Sequence, residues 1–146
     1  MSAPEGLLDT STVMLLPRIR NPNSLPETPL TSAITLAELA VGPLVAREES
    51  ERAARLAHVQ QAEADFDPLP FDAAAARAFG RVAASLRQAG RKPSARAFDA
   101  MIAAVAIANG LPLYTCNPAD FAGIDELDLH GIPHPDTSTT TTPDQG

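Results

Sequence analysis

Four carboxylates, Asp9, Glu38, Asp99 and Asp120, stand where a parallel α/β sheet could gather them. Asp9 ends the short apolar run Gly6-Leu7-Leu8. Glu38 lies in the opening turn of a helix that follows an extended segment, and Asp120 does the same after Leu113-Tyr114-Thr115. Open parallel sheets bind ligands beyond the carboxyl ends of their strands, so these three can converge at one edge. Asp99 must reach them from a helix of its own. Its neighbours, Ala97 and Phe98 before it and Ala100 to Ile107 after it, are apolar, and a helix apolar on nearly every face is buried. An ionised carboxylate in that setting is expensive unless a cation or hydrogen-bond donors compensate it. The compensation could come from Arg91 or Arg96, or from a divalent cation, which several acids with few competing bases favour. Each acid also has a plainer reading. Glu38 could close a capping box with Thr35, and Asp120 could complement the positive end of its helix. Asp9 could bond the amides of Ser11 and Thr12 in a turn, and Asp99 could belong to a buried ion pair. These readings are linked, since a single carboxylate does not hold Mg²⁺, and one true ligand raises the case for the others.

A second pattern is a run of positive charge. Arg77, Arg81, Arg87, Arg91, Lys92 and Arg96 make up six of the 11 basic residues, and no Asp or Glu lies between them. Such a run can be a solvated helix face. Placed directly before Asp99, it also suits a stripe that tracks phosphates toward the acids, with Arg91, Lys92 and Arg96 as its nearest members.

The elements that must position these groups are legible in outline. The 146 residues make one domain, and with 45% hydrophobic but only 4% aromatic positions the core must be close-packed Ala, Leu, Val and Ile. Residues 6–9 read as a strand, 13–16 as a short helix behind the capping hydroxyls Thr10-Ser11-Thr12, and the proline-rich 17–30 as an irregular surface loop. Ser32-Ala33-Ile34 reads as a second strand, and Thr35-x-x-Glu38 as the capping box of a helix ending at Val41, before Gly42-Pro43. Helices follow over 44–64, over 73–90 with Asp72 as cap, and over 94–109 with Gly110 closing it. Leu69 marks a weak extended segment, Leu113-Tyr114-Thr115 a strand, and Leu127–Leu129 a last one. Asn117 and Pro118 open a short helix between those two. Strands separated by helices of this length imply crossovers, hence an α/β fold with a mostly parallel sheet. The stretch 133–146 is low in apolar residues and is expected to be a disordered tail.

Other chemistries are excluded. One Cys forbids an intrachain disulfide, and three scattered His lack zinc spacing. No Ser-His-Asp or Cys-His set offers itself; Cys116 and His58 read as structural. The opening residues carry no basic run and no long uncharged apolar stretch occurs, so a soluble, cytoplasmic protein without a membrane partner is expected. A net charge of −7 argues against broad nonspecific nucleic-acid binding while leaving room for the local basic patch.

Together the segments Leu7-Leu8-Asp9-Thr10-Ser11, Ile34-Thr35-Leu36-Ala37-Glu38-Leu39, Gly90-Arg91-Lys92, Phe98 to Ala104, Gly110 to Asn117 and Asp120-Phe121 resemble the PIN domain, and within it the VapC toxins of bacterial toxin–antitoxin pairs. The resemblance spans about residues 6–132 and, as an ordered set, is fairly specific. It implies a PIN-like α/β/α sandwich over 1–132 with a central sheet of four to five short strands. The activity it implies is a metal-dependent endoribonuclease, the toxin of a type II toxin–antitoxin pair, with Mg²⁺ or Mn²⁺ as cofactor, RNA as substrate, a VapB-type antitoxin as partner, and a homodimer. Carried over by position, Asp9, Glu38 and Asp99 are three of its acids, and the fourth falls on Asn117 or Asp120. Where many members have Thr-Arg, this sequence has Thr115-Cys116, which takes a basic group away from the site. On this reading Asp9 and Asp99 ligate the metal, and Glu38 and Asp120 act through waters or a second ion. Thr10, Ser11, Thr115 or Asn117 then position phosphate or water.

Two rivals follow from the same residues. A receiver-like phosphoacceptor domain also collects acids at strand ends, but it needs a Lys at the end of a late strand, and the only lysine is Lys92. A noncatalytic PIN-fold module that binds a partner would keep the fold without the nuclease.

Overall fold

The structure, a computed structural model, describes residues 4–136. Four short strands, β1 (Glu5–Leu8), β2 (Thr28–Leu30), β3 (Leu113–Thr115) and β4 (Leu129–Gly131), form one sheet in the order β2-β1-β3-β4. Every neighbouring pair is parallel. The connections carry five helices: α1 (Thr10–Leu15), α2 (Ala33–Val45), α3 (Glu49–Asp65), α4 (Ala73–Gln88) and α5 (Ala97–Ala108).

The alternation of strand side chains divides the core in two. Leu7 and Leu113 point into the larger cluster, where Ala78, Val82 and Leu86 of α4 meet Ile102, Ala103 and Ala106 of α5. Leu8 and Tyr114 point the other way, against Cys116, Ile132 and the apolar side chains of α1 and the segment after it. The layers are therefore helix, sheet, helix. The small side chains of α4 and α5 allow close approach, which compensates for the shortage of aromatic residues.

Several elements differ from the sequence expectations. The second strand is Thr28–Leu30, inside the proline stretch, and not Ser32-Ala33-Ile34. Pro29 is tolerated because β2 is an edge strand paired only with β1, where a missing N–H need not break a ladder. Ser32 instead caps α2, its Oγ accepting from the Thr35 amide at 3.2 Å, so Thr35-x-x-Glu38 is not a capping box. The helix continues past Gly42-Pro43 to Val45, and Arg55 of α3 donates to the Gly42 carbonyl at 3.0 Å near that end. Leu69 contributes a single parallel bridge to Ser32. The last strand lies two residues later than expected, because Leu129 is the residue in register with Leu113, while Leu127 closes a turn on Ile124. Of the expected tail, Pro135 is buried and Asp136 pairs with Arg18; residues 137–146 lie outside the described residues.

Candidate active site

Asp9 sits at the carboxyl end of β1, is 3% exposed, and caps α1. Its Oδ1 accepts from the Thr12 amide at 3.2 Å and from the Thr12 hydroxyl. Its Oδ2 accepts from the Ser11 hydroxyl at 3.0 Å and the Thr115 hydroxyl at 2.9 Å. Behind these donors stands a second tier. The Cys116 amide donates to Thr12 Oγ1 (3.0 Å), the Asn117 amide to Thr115 Oγ1 (2.9 Å), and Asn117 Nδ2 to Ser11 Oγ (3.0 Å). A buried charge is tolerable when it is hydrogen-bonded, and this one is fixed by donors from α1 and from the end of β3. The turn reading of Asp9 holds for the Thr12 amide, whereas Ser11 donates its hydroxyl in place of its amide.

Glu38 arrives from α2. Thr10 donates to its Oε1 at 2.5 Å, and the Thr10 hydroxyl lies 3.0 Å from that of Thr35. The Thr35-x-x-Glu38 spacing therefore matters through the helix period, which puts both side chains on the face turned toward α1.

Asp99 occupies the first turn of α5, not its middle, and its side chain is 24% exposed. The expectation of full burial fails for that reason: the apolar run begins below it. Burial nevertheless pushes its carboxyl up to about 6, aided by the charges of Asp120, Asp9 and Glu38 and opposed by Arg96. Asp99 thus feels the charge of all three other acids. Asp120, in the single turn Pro118–Phe121, shares Arg96 with Asp99, at 3.2 Å and 3.7 Å respectively. Asn117 does not cap that turn; its amide is spent on Ser11. Asn117 thus braces Ser11, and Asp120 places a second charge on the arginine that Asp99 uses.

Arg91, Lys92 and Arg96 line a cavity of about 250 Å³ with Asp120 at its rim and an apolar floor from Leu86, Ala100 and Ile124. Arg91 donates to the Ala119 carbonyl at 3.3 Å. Arg81, earlier in the same run, is turned away to Glu126 at 2.8 Å. Cys116 is buried, which pushes its thiol up and keeps it an unreactive packing group.

Thr12 is the residue that sequence reasoning passed over as part of the site. Its signal was available: a hydroxyl three positions after an N-terminal Asp faces that carboxylate. Among the described residues, no three carboxylate, imidazole or thiol groups close into a set that could hold a metal ion by themselves.

The PIN domain pattern matches residues 7–127. Ribonuclease VapC5 of Mycobacterium tuberculosis is 39% identical over 122 residues, covering 82% of this chain and 87% of that protein. The crystal structure of VapBC-5, a member of the VapBC family of toxin-antitoxin systems from the same organism, superposes with a TM-score of 0.75 at 34% identity, covering 88% of this chain and 99% of that one. A DNA-bound VapBC from Salmonella typhimurium gives 0.67 at 26% identity, over 90% of this chain and 98% of the other. With the parallel sheet order, the acids at its carboxyl edge and these relatives in agreement, the chain belongs to the PIN-domain family, in its VapC branch.

Proposed function

We propose that this protein is a metal-dependent endoribonuclease, the toxin of a type II toxin–antitoxin pair, hydrolysing phosphodiester bonds in RNA. The observation that carries the proposal is the raised carboxyl of Asp99, produced by burial and by three other acids drawn to the same crevice. Such a concentration of negative charge is relieved by a hard cation, and the oxygen-only donor set fits Mg²⁺ or Mn²⁺ rather than zinc. Mg²⁺ needs only one or two protein carboxylates, keeping waters and substrate phosphate as its remaining ligands, so an incomplete protein cage fits it. Asp9 and Asp99 are the residues that would hold it, Asp9 by giving up the rotatable Ser11 hydroxyl. When bound, the ion supplies charge neutralisation at a phosphate and a more acidic water.

The chain's own groups do the positioning. Thr12 and Thr115 hold Asp9 in one orientation, and Thr10 holds Glu38. Ser11 and Asn117, bonded to each other, face the crevice as donors to phosphate or water. Arg91 and Lys92 attract the strand, and Arg96 balances Asp99 and Asp120 until a divalent cation competes for them. A VapB-type antitoxin and a homodimer are the partners this reading brings. An apolar exposed set at the end of α2, with Leu44 85% exposed beside Val41 and Val45, supports a protein partner. No helix among the described residues is long and apolar enough to cross a membrane.

The test is RNA cleavage by the purified chain with Mg²⁺, with Mn²⁺ and with EDTA. Cleavage with metal, its loss in EDTA, and a fall of about 100-fold or more in Asp99→Asn are expected, the scale on which loss of transition-state charge stabilisation acts. Equal cleavage by Asp99→Asn would remove the acids from the mechanism. No cleavage with either metal would leave the partner-binding module as the reading.

A further inference from the structure

A groove of about 740 Å³ lies outside the acid crevice, between the loop bearing Asn23, Ser24 and Glu27 and the ends of β3 and β4. Its volume is in the range of small-ligand sites. Its aromatic wall is a pair: Tyr114 and His130 are in register across the two strands, and their rings stack at 4.7 Å with an interplanar angle of 21°. Tyr114 is 3% exposed, whereas the His130 side chain is 41% exposed, so the stack is anchored on one side and open on the other. The anchor depends on Gly6 of β1, where a Cβ would stand 2.6 Å from the Tyr114 ring. Asp128 holds the edge of the imidazole, 3.1 Å from Nε2, which leaves the ring face for contact.

The lining carries no Lys or Arg, and its one carboxylate, Glu27, makes no ion pair among the described residues. Such a groove repels phosphate. It suits a flat, uncharged group that stacks on an aromatic face and offers N–H donors to a carboxylate, which is the chemistry of an unpaired nucleobase. Guanine, with N1–H and N2–H₂ on one edge, matches Glu27 best. The wall also adjoins the acids: Thr115, the residue after Tyr114, donates to Asp9, and Gly131, the residue after His130, is in register with Thr115. The geometry points to this groove as the subsite for a nucleobase of the RNA strand flanking the cleaved bond, an inference that rests on the ribonuclease reading.

Tyr114 is the only tyrosine and the chain has no tryptophan, so its ring-proton resonances are a distinct probe of this groove's wall. In a titration at pH 7.5 in EDTA, GMP shifts the Tyr114 and His130 ring protons and ribose 5-phosphate does not; His130→Ala abolishes the GMP response of Tyr114. Identical responses to both probes, or a response to neither, overturn the subsite. A second arm ties it to the strand: His130→Ala raises KM for RNA cleavage about tenfold, within the range of one base stacked on an aromatic ring, and leaves kcat unchanged. An unchanged KM means the groove takes only free nucleotide and overturns the assignment to the strand. Metal-dependent cleavage by the parent protein, measured on the same preparation, keeps either failure distinct from failure of the nuclease reading.

Discussion

At the scale of single residues the site combines two treatments of a buried carboxylate. Asp9 is compensated by four donors and is fixed; among the described residues Asp99 is compensated only by a shared arginine and is left costly. The cost has a sign. The Asp99 carboxyl is raised from 3.8 to about 6, so the folded state holds its proton more tightly than the unfolded chain does. Its contribution to stability is complete below pH 3.8 and is lost as the pH rises through about 6. Asp99→Asn removes that penalty. In EDTA at pH 8 the variant should melt a few degrees above the parent, since each kcal/mol moves Tm by roughly 2–4 °C in a chain of this size, and the gap should narrow as the pH falls through about 6 and close only near 3.8. A variant that melts lower at pH 8 in thermal unfolding would show that Asp99 is not strained. The acids themselves were legible in the sequence because strand ends and helix starts mark the active edge of a parallel sheet. Thr12 carries a weaker signal, its place three residues after Asp9, which the neighbouring hydroxyls of Thr10 and Ser11 obscure.

Secondary-structure elements hold those residues at the crevice, and it is at this scale that sequence and structure part. The prolines around β2 signal a loop, so the sequence points to a strand at 32–34, and only the sheet order shows an edge strand where Pro29 does no harm. The misplacement also hid the role of Ser32, which is fully buried and sets the start of α2, hence the reach of Glu38. Ser32→Ala should cost about 1 kcal/mol, the usual worth of an N-cap, and lower RNA cleavage more than that loss of stability alone explains. Denaturant unfolding alongside cleavage rates checks this; a stability loss with full activity would detach the cap from the site. By contrast α4 is legible in the sequence, its Asp72 cap bonding the Ala75 amide at 3.0 Å, because a capped amphipathic helix declares both its start and its inner face.

Over the whole molecule the charge distribution opposes itself: a net −7 chain carries most of its cations in one block that leads to its acids. Binding of RNA should therefore depend on a few local cations. Arg91→Ala and Lys92→Ala are expected to weaken it and to flatten the plot of log affinity against log salt by about 0.7 per cation removed. An unchanged slope in filter binding or anisotropy would return both residues to a solvated face. The layered architecture was legible from the alternation of strands and helices, whereas the meeting of Asp99 with Asp120 through Arg96 depends on the packing of α5 beneath the sheet edge and has no local signature. The measurement that bears most directly on the whole account is calorimetric titration of Mg²⁺ into the RNA-free protein and into Asp99→Asn at pH 6. Binding to the parent with release of about half a proton, since a carboxyl raised to about 6 is half ionised at that pH, and at least tenfold weaker binding to the variant, is the predicted result; equal binding to both, with no proton released, would contradict it.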